Sequence, residues 1–215
     1  MAAEKQKCMI LGAVPVEDEL LFLQYDPQEY FVICADGGWD TAQQYHITPD
    51  LVVGDFDSAV QKPGKGVKVL TLPVEKDVTD TLYAVQKGLA RGFRDFLLVG
   101  CLGGPRFDHT LASLETLEYL MDHGARGVLV DEHTAVFLLR DRVLRLTGEK
   151  GATVSVFPYR GTSCTVSYSG LKYPMNREDL VCGVPEPMGV SNLVIADQAD
   201  IRVHLGTAVV VLYRE

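Results

Sequence analysis

The sequence predicts an α/β fold, a Rossmann-like, mostly parallel sheet with helices on both faces, followed by an all-β sandwich domain or a barrel-like one. Three observations predict it. Between residues 7 and 131, short apolar runs alternate with longer segments of helical period, the pattern of βαβ units. Most of those runs are unbroken and β-branched, as strands covered on both faces are. After about Asp131 the helical period disappears, and short alternating segments separated by Gly, Pro and Asn take over. The domains are accordingly 1–131, an α/β unit, and 132–215, a β unit.

The first strand is 7–11, and a short helix over 17–24 leads to a second strand, 31–35. Another short helix, 40–45, precedes strands 51–53 and 67–71. The helix over 79–91 places Leu82, Val85 and Leu89 on one stripe and stops at Gly92. Asp77 is a good N-cap for it, and Asp80 sits where a carboxylate favours the positive end of the helix. After strand 96–99, a helix over 108–123 carries Leu111, Leu114, Leu117 and Met121 on its apolar face, with Gly124 behind them. Strand 127–130 closes the α/β part. In the β part the expected strands are 153–157, 164–168, 193–196, 201–205 and 207–213. Ile201, Val203 and Leu205 alternate with Arg202 and His204, which gives that strand one wet face.

A chain of 215 residues with 47% hydrophobic content can bury a full core. The formal charge of −9 is the wrong sign for neutralising nucleic-acid phosphates, so nucleic acid is not an expected partner. The five cysteines are scattered, without a C-x-x-C pair or zinc-site spacing, and read as reduced thiols. The N-terminus has no signal-peptide pattern, and no apolar run approaches the roughly 18 residues of a membrane span. The expected location is cytoplasmic.

The acidic and glycine-rich clusters follow directly on predicted strands. Asp36-Gly37-Gly38 follows 31–35, Gly54-Asp55-Phe56-Asp57-Ser58 follows 51–53, and Asp77-Val78-Thr79-Asp80 follows 67–71 after a short loop. A fourth segment, 100–109, with Gly103-Gly104-Pro105-Arg106-Phe107-Asp108-His109, follows 96–99. C-terminal ends of parallel strands share one edge, where ligands bind, so these separate stretches converge. Asp55 and Asp57, two apart, project to one side of an extended chain, as a shared hard cation requires. Asp77 and Asp80, three apart, also project together. Several like charges in one crevice repel unless a divalent ion lies among them. The glycine-rich segment can bring backbone N–H groups to phosphates, with Arg106 adding a fork of donors. Trp39 and His46, His123, His133 and His204 read as packing or surface residues.

Taken together, Ala35-Asp36-Gly37-Gly38, Gly54-Asp55-Phe56-Asp57-Ser58, Lys76-Asp77-Val78-Thr79-Asp80 and Arg106-Phe107-Asp108-His109 resemble the thiamine pyrophosphokinase family in order and spacing. Ser169-Gly170-Leu171-Lys172-Tyr173-Pro174 and Gly189-Val190-Ser191-Asn192 extend the likeness through the β part. The resemblance implies a homodimer with active sites at the subunit interface, and transfer of the terminal diphosphate of ATP to the hydroxyl of thiamine, giving thiamine diphosphate and AMP. It implies Asp55, Asp57 and Asp80 as Mg²⁺ ligands, with Asp77 and Asp108 supporting the metal or nucleotide. Asp36, Gly37, Gly38, Thr79, Arg106 and His109 would line the ATP side, and Ser191 and Asn192 would meet the pyrimidine. This chain departs from the family's Gly-Gly-Arg-x-Asp-His by placing Pro105 between Gly104 and Arg106.

Rival readings of the same residues are a related pterin diphosphokinase, a haloacid-dehalogenase-like phosphatase using Asp55-Phe56-Asp57-Ser58, and a non-catalytic metal and nucleotide sensor.

Overall fold

The computed structural model describes residues 5–54, 67–71, 77–184 and 189–215. The chain divides into two compact units, Met1–Glu132 and His133–Glu215. Among the described residues no helix is long and apolar enough to cross a membrane.

The first unit contains β1 (Lys7–Leu11), α1 (Leu20–Gln24), β2 (Tyr30–Ala35), α2 (Gly38–Gln44), β3 (Leu51–Gly54), β4 (Val69–Thr71), α3 (Asp80–Ala90), β5 (Asp95–Val99), α4 (Phe107–Asp122) and β6 (Arg126–Val130). Its strands pair in parallel in the order β6-β5-β1-β2-β3-β4. Consecutive residues Cys8, Met9, Ile10 and Leu11 are all fully buried, so both faces of the central strand are covered. Burying Ile10, Ile33, Leu51 and Leu98 contributes roughly 1.5–3 kcal/mol each. The last turn of α3 lies over β1 and β5. A Cβ on Gly88 would stand 2.6 Å from the Phe96 ring and 3.2 Å from Cys8 Sγ. On the neighbouring strand, a Cβ on Gly127 would stand 2.6 Å from Leu120 and 2.8 Å from Leu117 of α4. Glycine lets both helices sit close.

That closeness changes which helix residues face the sheet. In α3 the buried residues are Ala84, Val85 and Gly88, and the expected Leu82 and Leu89 are only half-buried. In α4 they are Ser113, Thr116, Leu117 and Leu120, and the expected Leu111 is 49% exposed. Ser113 and Thr116 become tolerable in the core because their hydroxyls donate to the carbonyls of His109 and Ala112, at 2.9 and 3.0 Å. The cap of α3 also differs: Thr79, not Asp77, occupies it, its Oγ1 accepting from Leu82 N at 3.2 Å.

The second unit is built from β7 (Thr134–Arg140), β8 (Val143–Thr147), β9 (Thr153–Pro158), β10 (Ser163–Ser169), β11 (Met175–Val181), β12 (Asn192–Leu193), β13 (Gln198–Leu205) and β14 (Thr207–Tyr213). These form two antiparallel arrays, β12-β9-β14-β7 and β11-β10-β13-β8. Alternate residues point inward: Cys164, Val166 and Tyr168 from β10, Ala199, Ile201 and Val203 from β13, and Val154 and Val156 from β9 are buried. The unit is a sandwich, one of the two β architectures that the alternating segments allow and the one that the family resemblance implies. Three strands, β7, β8 and β11, have no counterpart among the expected ones. β11 reads Met-Asn-Arg-Glu-Asp-Leu-Val and buries only Leu180, so its polar edge carries no apolar signal. The expected strand 193–196 shortens to β12, after which Val194 forms an isolated bridge with Leu171.

Glycine packing gives a direct test. A Cβ on Gly38 would lie 1.9 Å from the Leu11 carbonyl oxygen, which is backbone and cannot yield. Gly38→Ala is expected to destabilise the protein by about 3 kcal/mol or more. Gly161→Ala, where the nearest atom would be 3.6 Å away, is expected to stay within about 1 kcal/mol of wild type. Urea unfolding of both variants checks this.

Candidate active site

In the first unit, strands β1 to β4 step in one direction across the sheet, whereas β5 and β6 lie on the other side of β1. The order therefore reverses between β1 and β5, and the crevice beyond their C-terminal ends is where such a sheet receives a ligand. Gly12, after β1, and Gly100, after β5, meet there. Gly12 N donates to Val99 O at 2.7 Å, and Val14 N donates to Gly100 O at 2.9 Å. A Cβ on Gly12 would stand 2.5 Å from Gly100 O. A cavity of about 170 Å³ opens beside them, lined by Val14, Val16, Leu102, Asp131 and Glu132 among others. Glu132 Oε1 accepts from Glu17 N at 2.7 Å and steadies the loop after β1. This loop, 12–17, is not among the expected site residues. It carries few chemically distinctive side chains, and its place directly after the first strand is the signal that points to it.

Asp36 stands at the end of β2 with φ +47°, a left-handed conformation that Asp tolerates better than most residues. Its N–H donates to Val53 O at 2.8 Å, and its carbonyl accepts from Trp39 N at 3.1 Å. Gly54, at the end of β3, permits this approach: a Cβ there would lie 3.2 Å from Asp36 Cα and 3.6 Å from Oδ1. The Asp36 carboxylate is thus held against the end of β3, from which residues 55–57 continue. Gly37 and Gly38 serve packing, with Gly38 wedged under Leu11 O and Gly37 against Ala13. Trp39 is 4% exposed, as its packing role predicts, and its Nε1 has no hydrogen-bond partner among the described residues.

Helix α3 brings Asp80 to the same edge. Its late residue Gly88 lies over Cys8 and Phe96, near the strand beginnings, and its first turn reaches the loop after β5, where Thr81 hydrogen bonds to Cys101. Asp80 is half-buried in that first turn and Asp77 is exposed just before it. Thr79 Oγ1 is committed to the helix cap. Cys101 is no nucleophile, since burial pushes its thiol up to about 12. Asp55 and Asp57 lie outside the described residues, and among those described no three His, Cys, Asp or Glu side chains gather as a metal requires.

The segment leading into α4 is exposed from Gly103 to His109. Arg106 and Asp108 engage each other as a fork, Nε to Oδ1 at 2.9 Å and Nη2 to Oδ2 at 2.6 Å. That hydrogen bonding holds the Asp108 carboxyl down at about 2. His109 is exposed, and its N–H donates to Arg106 O at 3.0 Å.

In the second unit, Ser191 is exposed at φ +58°, its N–H donating to Ser155 Oγ at 3.1 Å. Asn192 is different, being 6% exposed. Its Oδ1 accepts from Tyr173 N and Leu193 N, both at 3.0 Å, and its Nδ2 donates to Tyr173 O at 2.7 Å.

Comparison with known proteins matches both units. The model of the thiamin pyrophosphokinase catalytic domain fits residues 22–129, which hold the rim from Asp36 to His109, and that of the thiamin pyrophosphokinase vitamin B1 binding domain fits residues 142–210. Thiamin pyrophosphokinase 1 of Caenorhabditis elegans is 29% identical over 170 residues, covering 72% of this chain and 66% of that protein, so the match spans just under two thirds of that relative. The structure of thiamine pyrophosphokinase from Bacillus subtilis superposes with a TM-score of 0.85 at 21% identity, covering 97% of this chain and 99% of that one. Thiamin pyrophosphokinase from Candida albicans superposes at 0.78 and 18% identity, covering 97% and 90%. These structures share the α/β unit and the β-sandwich. With both of its units matched by the models of one family, the chain belongs to the thiamin pyrophosphokinase family.

Proposed function

We propose that the chain transfers the terminal diphosphate of ATP to the hydroxyl of thiamine, with Mg²⁺, and releases thiamine diphosphate and AMP. The observation that carries the reading is the placing of Asp36 and Asp80, from separate stretches of the catalytic region, at the C-terminal edge of one parallel sheet. Such carboxylates are hard oxygen donors of the kind Mg²⁺ takes, and Asp36 is held against the strand from which Asp55 and Asp57 follow. Asp55, Asp57 and Asp80 would hold the ion. When bound, it neutralises polyphosphate charge beside the carboxylates and polarises phosphoryl oxygens.

The protein's own groups do the rest by positioning. Asp36 lines the nucleotide side, on main chain packed through Gly37 and Gly38 and facing the helix end that Thr79 caps, together with the loop 12–17 at the switch point. Arg106 exchanges its fork on Asp108 for phosphate oxygens, which match the same planar donors, and His109 stands beside it. The thiamine oxygen attacks the β-phosphorus in line, an O–P bond forms, and the bond to the α-phosphate oxygen breaks with AMP as leaving group. The hydroxyl proton passes to a carboxylate. Asp77 and Asp108 are the two candidates, Asp108 being released as a base when Arg106 turns from it to phosphate. Thiamine's permanent positive charge suits a chain of net charge −9. Ser191 and Asn192 belong to the region that meets the pyrimidine, Ser191 by contact and Asn192 from behind. A homodimer with active sites at the subunit interface and a cytoplasmic location complete the reading. The exposed pair Phe107 and Leu111, one turn apart on α4 at 69% and 49%, supports a contact between subunits.

Incubating protein, Mg²⁺, ATP and thiamine is expected to yield AMP and thiamine diphosphate by chromatography. Asp55→Asn and Asp80→Asn each should lower AMP formation on the order of a hundredfold or more with an unchanged circular dichroism spectrum; wild-type turnover in both would refute the metal ligands.

The Arg106–Asp108 fork makes a separate prediction. A depressed carboxyl pKa favours the paired state above the usual value of 3.8, and the benefit fades as pH falls through about 2. In Arg106→Ala, the Asp108 carboxyl followed by NMR should titrate back up toward 3.8. A titration unchanged from wild type would show that another group holds it down.

A further inference from the structure

The outer face of the array β11-β10-β13-β8 carries a polar cluster that the diphosphate transfer does not use. Two β-bulges flank Ser167 on β10, one on each neighbouring strand. Against β13, Thr165 pairs with Leu205 and Val166 with Val203, so His204 is an extra residue. Against β11, Val166 pairs with Glu178 and Ser167 with Asn176, so Arg177 is another. Arg177 takes φ +54°, a left-handed conformation that is costly for a long side chain. Both extra residues meet at Ser167. His204 Nε2 stands 2.7 Å from Ser167 Oγ, Arg177 Nη1 stands 3.2 Å from His204 Nδ1, and Arg177 N donates to Ser167 Oγ at 2.9 Å.

The donors decide where each proton lies. A guanidinium has no acceptor, so His204 Nδ1 accepts from Arg177, and the neutral ring keeps its proton on Nε2, which donates to Ser167 Oγ. Desolvation and the charges of Arg177 and Arg202 push the His204 pKa down and keep that ring neutral. Nε2 therefore has no lone pair with which to take the serine proton, and the two residues are not a nucleophile and its base. Instead Oγ receives two N–H groups, and its own O–H is left for a further partner, strengthened as a donor by the bonds behind it.

In front of Ser167 lies a cavity of about 660 Å³. Ser167 shares one cross-strand row with Asn176 on β11 and Arg202 on β13, and all three line the cavity. Among the described residues no hydrogen bond or ion pair occupies the Asn176 amide or the Arg202 guanidinium. In the next row Arg145 grips Asp200 at 2.9 and 3.2 Å and neutralises it. Glu178, the other carboxylate of the lining, is outnumbered by Arg202 and the adjoining Arg177. Val143, Pro174 and Met175 supply an apolar wall.

From this arrangement we propose that the outer face of the second unit binds a small organic phosphate, whose phosphoryl oxygens take the Ser167 O–H, the Asn176 amide and the Arg202 guanidinium while its organic part rests on Val143, Pro174 and Met175. Donors from three strands suit the three terminal oxygens of a tetrahedral head, whereas a carboxylate offers two oxygens in one plane. His204 and Arg177 are positioning residues, acting on the ligand through the serine proton.

Titration of ¹⁵N-labelled protein with inorganic phosphate, at constant ionic strength and without Mg²⁺ or nucleotide, is expected to shift the amide signals of Ser167, Asn176 and Arg202 along one saturating curve. The ring nitrogens of His204 should move with them. Arg202→Ala should weaken this binding about tenfold at an unchanged melting temperature, and acetate should bind wild type about tenfold more weakly than phosphate. Glycerol 3-phosphate, which adds an organic part, should bind more tightly than phosphate. His204→Ala should weaken binding, and His204→Gln, whose amide can donate to Ser167 and accept from Arg177, should restore it. Shifts that never saturate, an equal response to acetate, or an unchanged curve in Arg202→Ala overturns the proposal. So does a phosphate response confined to amides around Arg106, which would assign the anion to the edge of the first unit.

Discussion

The Leu11 carbonyl leaves no room for a side chain on Gly38, and Gly100 leaves none for one on Gly12. The C-terminal edge of the first unit depends on this main-chain contact. Because β1 is the strand on both sides of which the sheet extends, its end must accept neighbours from two directions. Helix α2 starts directly under Leu11 O, which compels the link from β2 to turn within two residues, Asp36 and Gly37, and Asp36 takes the left-handed conformation that this turn needs. On the other side, the bond from Gly12 to Val99 O holds the loop after β5 close. Backbone packing thus comes first, and the position of the carboxylates follows from it.

Charge then sorts the polar residues that the edge collects. In a chain of net charge −9, an arginine near the rim is a scarce donor, and Arg106 is taken up by Asp108 two residues on. An exposed pair of this kind adds little to stability, because solvent screens it. Its consequence lies in chemistry. The fork suppresses the basicity of Asp108 and keeps the guanidinium in an orientation that planar oxyanions also satisfy. Pro105, placed just before Arg106, fixes the backbone leading to this fork, so the departure from the family's glycine pattern falls where the arginine is aimed.

The parallel sheet was legible because buried strands need apolar residues at every position, and runs such as Cys-Met-Ile-Leu have almost no other use. Helix faces were less legible. The stripe of α4 was drawn through leucines, whereas the close approach over Gly127 favoured Ser113 and Thr116, whose hydroxyls satisfy themselves on their own helix. Periodicity of apolar residues cannot register that substitution. Nor can it register β11, whose stability comes from pairing along β10 while its side chains face water. For the site, the strand-end rule placed Asp36 and Asp80 at one edge, but it overlooked the loop after β1, which lacks the cluster of aspartates that drew attention elsewhere.

Residue type alone also failed to distinguish polar groups that hold the protein from those that face a ligand. Thr79, Asn192 and Asp80 look equally functional in the sequence. Thr79 closes a helix end, and Asn192 completes a strand pairing that the main chain cannot make. Only the hydrogen-bond partners separate them, since an oxygen already accepting from a buried N–H is costly to redirect. A buried amide fixed in this way determines where the next exposed group stands. In the second unit that group is Tyr173, 57% exposed on a main chain whose N–H and carbonyl are both bound by the Asn192 amide.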